Sequence, residues 1–190
     1  MTKLNLRPEE LAKIRELTHF KIGKKYLFLG YSLDLDTAEL RDLFSSDDAV
    51  SRNDVYVLTV IFSHYASADP KARTGKLIKF KDLPGGRAYE TALIKRAVDP
   101  IAKVFGDDPS SLLDAAKPLG GKSLSHGDSA VEISALEGIP IVYILWGASE
   151  FSASANVFFD CSASAYLPTE DLAVLTELTS ARLIKSCQNL

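Results

Sequence analysis

Histidine is the side chain best suited to proton transfer near neutral pH, and this chain has three. His64 ends a buried apolar run and precedes Tyr65. It is either a histidine at the core edge, bonded to a backbone carbonyl, or an axial metal ligand or acid–base group in a pocket. His126 lies in a loop beside Asp128, where both side chains could face a ligand. His19 stands near the end of the first predicted helix, and nothing in its surroundings singles it out.

A carboxylate stands at the end of a second apolar run, where Asp160 follows Phe159 and precedes Cys161. Burial at this position predicts a raised pKa, which would suit an acid–base role. The alternative is that Asp160 caps the backbone of residues 161–165. Trp146 ends the longest apolar run and is either a core residue or one wall of a ligand site.

Two glycine turns are candidates for phosphate or anion sites. Residues 120–123 read Gly-Gly-Lys-Ser, but Ala116 replaces the earlier glycine of a phosphate-binding loop, Pro118 interrupts it, and a helix precedes it. The second turn, residues 84–86, opens a predicted helix and is followed by Arg87. It is therefore either an anion site with a fixed cation or a plain turn.

Hydrophobic periodicity places these residues on an α+β framework. Helices are predicted at 8–17, 54–65, 88–97, 100–105, 110–117 and from Thr169 onward. Strands are predicted within 25–36 and at 76–80, 129–135, 139–146 and 157–159. Because successive strands are joined by tight turns, we expect an antiparallel sheet of hairpins packed against several helices. A length of 190 residues fits one globular domain, residues 1–190.

Turn and cap residues set the predicted boundaries. Gly23 is expected to end the first helix, Asn53 to cap the second and Thr169 to cap the last. A strand is the competing prediction for 54–65, because this run is rich in valine and aromatic residues. The strand at 139–146 is apolar at nearly every position, so it is expected to be buried on both faces.

Composition narrows the class of protein. A net charge of −3 and a pI near 5.6 lack the basic character typical of nucleic-acid binding. The local basic run at 71–81 is interpreted as a solvated face. The longest apolar run is too short to cross a bilayer, and no signal-peptide pattern opens the chain. Two cysteines without a CxxC motif fit a reducing cytoplasm, so a cytoplasmic protein without nucleic-acid or membrane partners is expected.

From about Lys25 to Lys185 the chain resembles a domain of unknown function found mainly in anaerobic bacteria and archaea. The resemblance rests on Phe80–Gly86 with Tyr89, Glu150-Phe151, Phe159-Asp160, Tyr166–Leu175, His64-Tyr65 and Gly127-Asp128. Some relatives carry an additional cysteine-rich iron–sulfur domain, and this chain lacks those cysteines. The resemblance implies an anaerobic setting, an iron–sulfur or corrinoid protein as a partner, and no catalytic residues to carry over.

The leading functional hypothesis is a cofactor- or small-ligand-binding module. Its pocket is predicted to contain His64, Tyr65, Arg87, Asp128, Trp146, Phe159, Asp160 and Tyr166. The family association puts a corrinoid or another tetrapyrrole first, because His64 offers an axial metal ligand and aromatic rings suit a large flat cofactor.

Two other hypotheses stay open. One is a small hydrolase or transferase that pairs Asp128, Asp160 or Glu170 with His64 or His126 as acid–base groups. The other is an interaction domain without a small ligand. A wide apolar cleft with one histidine favours the cofactor, a tight cluster of carboxylate and imidazole favours catalysis, and a flat surface favours an interaction domain.

Overall fold

The computed structural model describes residues 2–19 and 25–189, which form an α+β fold with two antiparallel sheets. The first sheet has the order β1-β4-β3-β2 and consists of Thr2–Lys3 (β1), Lys25–Phe28 (β2), Tyr31–Asp34 (β3) and Glu39–Asp42 (β4). The second has the order β5-β9-β8-β7-β6 and consists of Leu77–Lys79 (β5), Lys122–Ser123 (β6), Ser129–Leu136 (β7), Ile139–Trp146 (β8) and Ser154–Asp160 (β9). The predicted fold class is confirmed.

The helices lie in the segments where the sequence predicts them, but the residues at two helix N-termini differ from the predicted caps. The helices are Pro8–Leu17 (α1), Arg52–Tyr65 (α2), Glu90–Leu93 (α3), Asp99–Phe105 (α4), Ser110–Ala116 (α5) and Thr169–Gln188 (α6). Ser51 rather than Asn53 caps α2, because its side chain accepts the Asp54 N–H. Thr169 is the first residue of α6 and sends its hydroxyl to Pro84 O instead of capping. Gly23 lies outside the described residues.

The predicted strand within 25–36 is two strands. Leu29 and Gly30 both have positive φ, at 46° and 72°, and they turn β2 back onto β3. Two consecutive positive φ angles are the geometry of a tight hairpin turn whose twist suits antiparallel strands. Tyr31, Leu33 and Leu35 are all buried, and the chain before them folds back as a separate strand.

The region between residues 90 and 105 is one nearly continuous helical segment. A π-helical stretch, Ile94–Val98, joins α3 to α4 where two separate helices were predicted. Pro100 has no N–H and its ring crowds the carbonyl four residues back, so a wide turn at this point relieves the clash.

The second sheet is covered on both faces, as predicted for β8. Ile139 to Leu145 are all buried. Helices α4, α5 and α6 pack against the inner face, and side chains of the sheet itself form a smaller apolar cluster on the outer face. That outer cluster consists of Ala130, Val142 and Ile144 with Leu77, Leu124 and Phe158.

An arginine joins the first sheet to α6. The guanidinium of Arg182 donates to Leu29 O, Gly30 O and the Asp42 carboxylate at 2.8, 3.0 and 2.6 Å. It lies 4.1 Å from the centre of the Tyr31 ring and 4.4 Å from that of Phe44. Because a buried cation needs partners on all sides, these contacts fix how α6 packs against the sheet. No local pattern in the sequence indicated this pairing.

Candidate functional site around Tyr166

Two cavities flank Tyr166. One, of about 530 Å³, lies beside the end of α1 and is called the α1 cavity. The other, of about 460 Å³, lies beside β6 and the end of the β7–β8 hairpin and is called the sheet cavity. Glu137, Gly138 and Tyr166 line both. Each volume falls within the range of small-molecule pockets, about 300–1,000 Å³.

Tyr166 is held from three directions. Its ring stacks on Tyr65, with centroids 6.2 Å apart and planes inclined by 17°. Its hydroxyl donates to Lys71 O at 2.9 Å. Gly138 has φ +79°, and a Cβ on it would collide with the Tyr166 ring. Only glycine allows both this backbone turn and this close approach, so the wall between the cavities is built in advance.

The segment 66–76, called the wall loop, follows α2 and runs past both cavities. Residues 66–68 and Pro70 line the α1 cavity, while Lys71, Ala72 and Arg73 line the sheet cavity. Loops without regular structure of their own are normally variable in position, so this one needs external anchors. Tyr166 is one of them, through Lys71 O, and Asp160 is another.

Asp160 is fully buried at the end of β9 and accepts five hydrogen bonds. Three come from the wall loop: Thr74 N at 3.1 Å, Thr74 Oγ1 at 2.8 Å and Gly75 N at 2.6 Å. Two come from Ser162, from its N–H at 3.0 Å and its hydroxyl at 2.7 Å. The predicted capping of 161–165 is therefore present at Ser162. The anchoring of the wall loop was not foreseen.

The predicted rise in the pKa of Asp160 is wrong. Burial alone raises the pKa of this carboxyl, but the hydrogen bonds from Ser162 and Thr74 outweigh it and hold the pKa well below its ordinary value. Donors that stabilise the charged form keep Asp160 ionised at neutral pH. It therefore acts as a structural anion in this environment rather than as a proton donor.

Arg73 in the wall loop reaches across the sheet cavity to β7. Its guanidinium binds both carboxylate oxygens of Glu132, one of them at 2.8 Å, and its Nε lies 3.8 Å from Asp160. A bidentate arginine–carboxylate pair fixes both position and orientation. Arg73 is exposed, as the interpretation of 71–81 as a solvated face predicts, and the pairing with Glu132 was not foreseen.

His64 precedes Tyr65 in α2, but it lines neither cavity and its ring faces α6. Its Nδ1 is 2.5 Å from the Asp171 carboxylate, in the first turn of α6. The His64 side chain is 52% exposed and that of Asp171 12% exposed. A carboxylate on one ring nitrogen orients the ring and favours the tautomer that leaves the other nitrogen, Nε2, as an acceptor. Such an imidazole can act as a base, a nucleophile or a metal ligand.

Two predicted site residues, Trp146 and Asp128, lie at the end of the β7–β8 hairpin that is far from the cavities. Glu137 and Gly138 form its turn, whereas Trp146 lies at the far end of β8, about 23 Å away at the rise of an extended strand. Asp128 is also at that far end, where its carboxylate accepts the Gly147 N–H at 2.8 Å. Trp146 is 38% exposed, so it borders solvent at that end.

Phe159 and Arg87 also lie outside the cavities. Phe159 is fully buried on the core face of β9, where its ring packs near Phe80. Arg87 is exposed in the short turn after Gly86. A Cβ on Gly86 would collide with Phe80 O, so close backbone packing explains that glycine without an anion.

Three tyrosines, Tyr26, Tyr65 and Tyr166, gather at the hairpin turn. The Tyr65 hydroxyl donates to Glu137 O and the Tyr26 hydroxyl accepts the Glu137 N–H, both at 2.8 Å. Burial, with the nearby Glu137 charge, raises the pKa of Tyr65 and Tyr166. These phenols stay protonated at neutral pH and serve as hydrogen-bonding groups.

The sequence predicted two members of this site, Tyr65 and Tyr166, and the carboxylate that supports it, Asp160. It did not predict the wall loop, Glu137 or Lys122, which lines the sheet cavity. One signal was available: Glu137-Gly138 stands between the predicted strands 129–135 and 139–146, and its exposed acidic residue could have been weighed as a ligand contact.

In the part of the chain that the structure describes, no helix has both the length and the apolar character needed to cross a membrane. Within residues 2–19 and 25–189, no group of three or more histidine, cysteine, aspartate or glutamate side chains is arranged to hold a metal ion.

Comparison with known proteins adds one finding. Neither a curated protein nor a solved structure matches the chain. A family model described as Domain of unknown function (DUF3786) matches residues 8–182, which begins before the stretch on which the resemblance was recognised. Because that match spans nearly the whole sequence, the chain belongs to the family Domain of unknown function (DUF3786).

Proposed function

We propose that this protein binds a small polar molecule in the two cavities that flank Tyr166. The observation that carries the proposal is the wall that both cavities share, formed by Glu137, Gly138 and Tyr166 and fixed by the protein contacts around the Tyr166 ring. A site whose side chains are fixed in advance loses little conformational entropy when a ligand binds. The wall loop extends the same preorganised surface into both cavities.

The lining favours a polar ligand over a large flat one. Charged side chains of α1, the wall loop and β7 surround the cavities, and one face of the Tyr166 ring is occupied by Tyr65. A ligand would therefore contact the part of Tyr166 that Tyr65 leaves uncovered, together with hydrogen-bonding and charged side chains.

The corrinoid stays a prediction. His64 has the second ring nitrogen that an axial ligand needs. The aromatic residues expected around the cofactor do not surround it, because Tyr65 and Phe159 are fully buried and Trp146 is at the far end of the hairpin. These residues do not fit a ring-binding face at His64. The anaerobic setting and the iron–sulfur partner also stay predictions.

Filling each cavity tests the proposal. Ala68 lines the α1 cavity and Ala72 the sheet cavity, so Ala68→Trp and Ala72→Trp would place an indole where the ligand binds. Ala88 is exposed in a short turn and lines neither cavity, so Ala88→Trp is the matched control. Protein purified from its native cells would be denatured, and the released small molecules identified by mass spectrometry.

We expect one compound to be retained by the wild type and by Ala88→Trp, and lost from at least one cavity variant with unchanged circular dichroism. If nothing is retained, a fragment library screened by amide chemical shifts replaces the extract. Fragments that perturb Gly138 and Tyr166 would support the site. Retention by both cavity variants, or a library without effect at these residues, would overturn the proposal.

The second candidate is acid–base chemistry at His64. The supporting observation is the Asp171 carboxylate, which holds Nδ1 and leaves Nε2 available on a half-exposed ring. The carboxylate differs from those predicted, Asp128, Asp160 and Glu170. His64→Gln and Asp171→Asn would be compared on chromogenic carboxylic and phosphate esters across pH. Turnover lost in His64→Gln and strongly reduced in Asp171→Asn supports catalysis, and equal turnover in all three proteins rejects it.

A further inference from the structure

The sheet cavity contains two lysines, Lys71 and Lys122, that form no ion pair with another described residue. Lys122 lies in β6 directly opposite Glu132 of β7. Opposite charges at such a cross-strand position normally attract each other. Here both oxygens of Glu132 are bound by Arg73 instead. The wall loop thus takes the natural partner of Lys122 and leaves its ammonium group unpaired among the described residues.

The backbone N–H groups of the two glycines before Lys122 are not available to donate hydrogen bonds to an anion. Gly120 N donates to Lys117 O at 3.0 Å and Gly121 N to Ala116 O at 2.9 Å, so both amides close the end of the preceding helical turn. A phosphate-binding loop needs such amides free. These bonds agree with the rejection of 120–123 as a nucleotide loop, and only the Lys122 side chain is left for a ligand.

The charges of the sheet cavity divide into a paired and an unpaired set. Arg73 and Glu132 neutralise each other, and Asp160 is buried behind them with all five donors in place. Lys71 and Lys122 supply two positive charges, while Glu137 supplies one negative charge at the boundary with the α1 cavity. Counted with the ionised Asp160, these charges sum to zero, so an anionic group of a ligand would find its complement locally, at the two lysines that form no ion pair with another described residue.

We propose that the sheet cavity binds the anionic group of a small organic acid or phosphate ester through Lys71 and Lys122. The inference rests on the proposed function and specifies its ligand class. An ammonium group binds carboxylate and phosphate oxygens as a point charge, so these two chemistries share the site. The uncharged remainder of the ligand would lie along Tyr166 and Gly138.

Pyrophosphate and citrate are the probes, titrated at constant ionic strength while the amide shifts of Ala72, Gly121 and Gly138 are followed. The test variant is Lys71→Gln/Lys122→Gln. The matched control is Lys95→Gln/Lys103→Gln, which removes two lysines of the α3–α4 region outside both cavities. We expect the test variant to weaken binding at least about tenfold and the control to change it about twofold or less.

Glu132→Gln sharpens the test, because it releases Arg73 and removes a competing carboxylate, so the affinity for the same probe is expected to rise. Binding of pyrophosphate alone assigns the site to phosphate, and binding of citrate alone to carboxylates. Equal loss in test and control variants, or no loss in either, would overturn the inference. Neutral fragments that shift Tyr166 while neither probe binds would overturn it and leave the proposed function intact. If neither pyrophosphate, citrate nor any neutral fragment shifts these amides, both the inference and the proposed function would be overturned.

Discussion

Asp160 and Asp171 are two buried carboxylates that join distant parts of the chain, and they differ in what they leave open. Asp160 receives five hydrogen bonds from Thr74, Gly75 and Ser162. Asp171 binds one imidazole, and the ring that carries the other nitrogen is half exposed. A carboxylate saturated with donors stabilises a structure, whereas one that orients a half-exposed histidine prepares a reactive group.

Burial alone is a poor guide to which carboxylate is functional. From the sequence, Asp160 was the more attractive functional candidate because it ends an apolar run. In the fold, both of its oxygens are bound by donors from the wall loop and Ser162. A better criterion for a functional carboxylate is whether it, or the group that it orients, keeps a position that a ligand can reach.

The largest expected effect comes from removing the carboxylate of Asp160, which accepts five hydrogen bonds. Asp160→Ala leaves several buried donors without a partner and should lower the free energy of unfolding by ~3–5 kcal/mol. Urea denaturation followed by circular dichroism measures this. Asp69→Ala, an exposed residue of the same wall loop, is the control and should change stability by less than ~0.5 kcal/mol. Similar small changes in both variants would contradict an anchoring role for Asp160.

The same carboxylate predicts a pH dependence. Its pKa is lowered in the folded protein, so its contribution is fully present above the unfolded-state value of about 3.9 and is lost as the pH falls below it. Asp160→Asn should therefore be less stable than the wild type at pH 7, and the difference should shrink as the pH falls toward about 2. Denaturation at a series of pH values tests this, and a constant difference would contradict it.

The next effect concerns the wall between the cavities. Gly138→Ala combines a positive φ with a methyl group in contact with the Tyr166 ring, and should cost ~2–3 kcal/mol. Gly85→Ala is the control, because Gly85 has φ +74° with open space around it, so only the ~1 kcal/mol backbone penalty applies. Thermal denaturation compares the two. Equal losses would mean that the contact with Tyr166 does not hold the wall.

The smallest effect on stability is expected at the half-exposed pair of His64 and Asp171. Asp171→Asn should lower stability by about 1 kcal/mol or less, because the pair is partly exposed. Its effect on His64 should be larger: nitrogen shifts of the ring in alkaline buffer should show the proton on Nδ1 in the wild type and a mixture of tautomers in the variant. Identical tautomers in both proteins would remove the orienting role of Asp171.

Much of the fold could be predicted because it depends on neighbours in the sequence. The period of α1, the β7–β8 hairpin with its Glu137-Gly138 turn, and the double burial of β8 all follow from local patterns. The exceptions are also local but subtler. The Leu29-Gly30 turn contains one residue without an evident turn preference, and Ser51, which caps α2, lies two residues before the predicted Asn53.

The sequence by itself determined the α+β class, the strands and helices that carry the site, and the residue types available at Tyr65, Asp160 and Tyr166. Only the tertiary structure decided which of them meet. Asp160 binds Thr74 from 86 residues away, and His64 finds Asp171 across 107 residues. Periodicity reports which side of an element is buried, but a polar partner depends on how the elements pack. Packing put Arg73 on Glu132 and left Lys122 unpaired among the described residues, and that is why the charged cavity was invisible in the sequence.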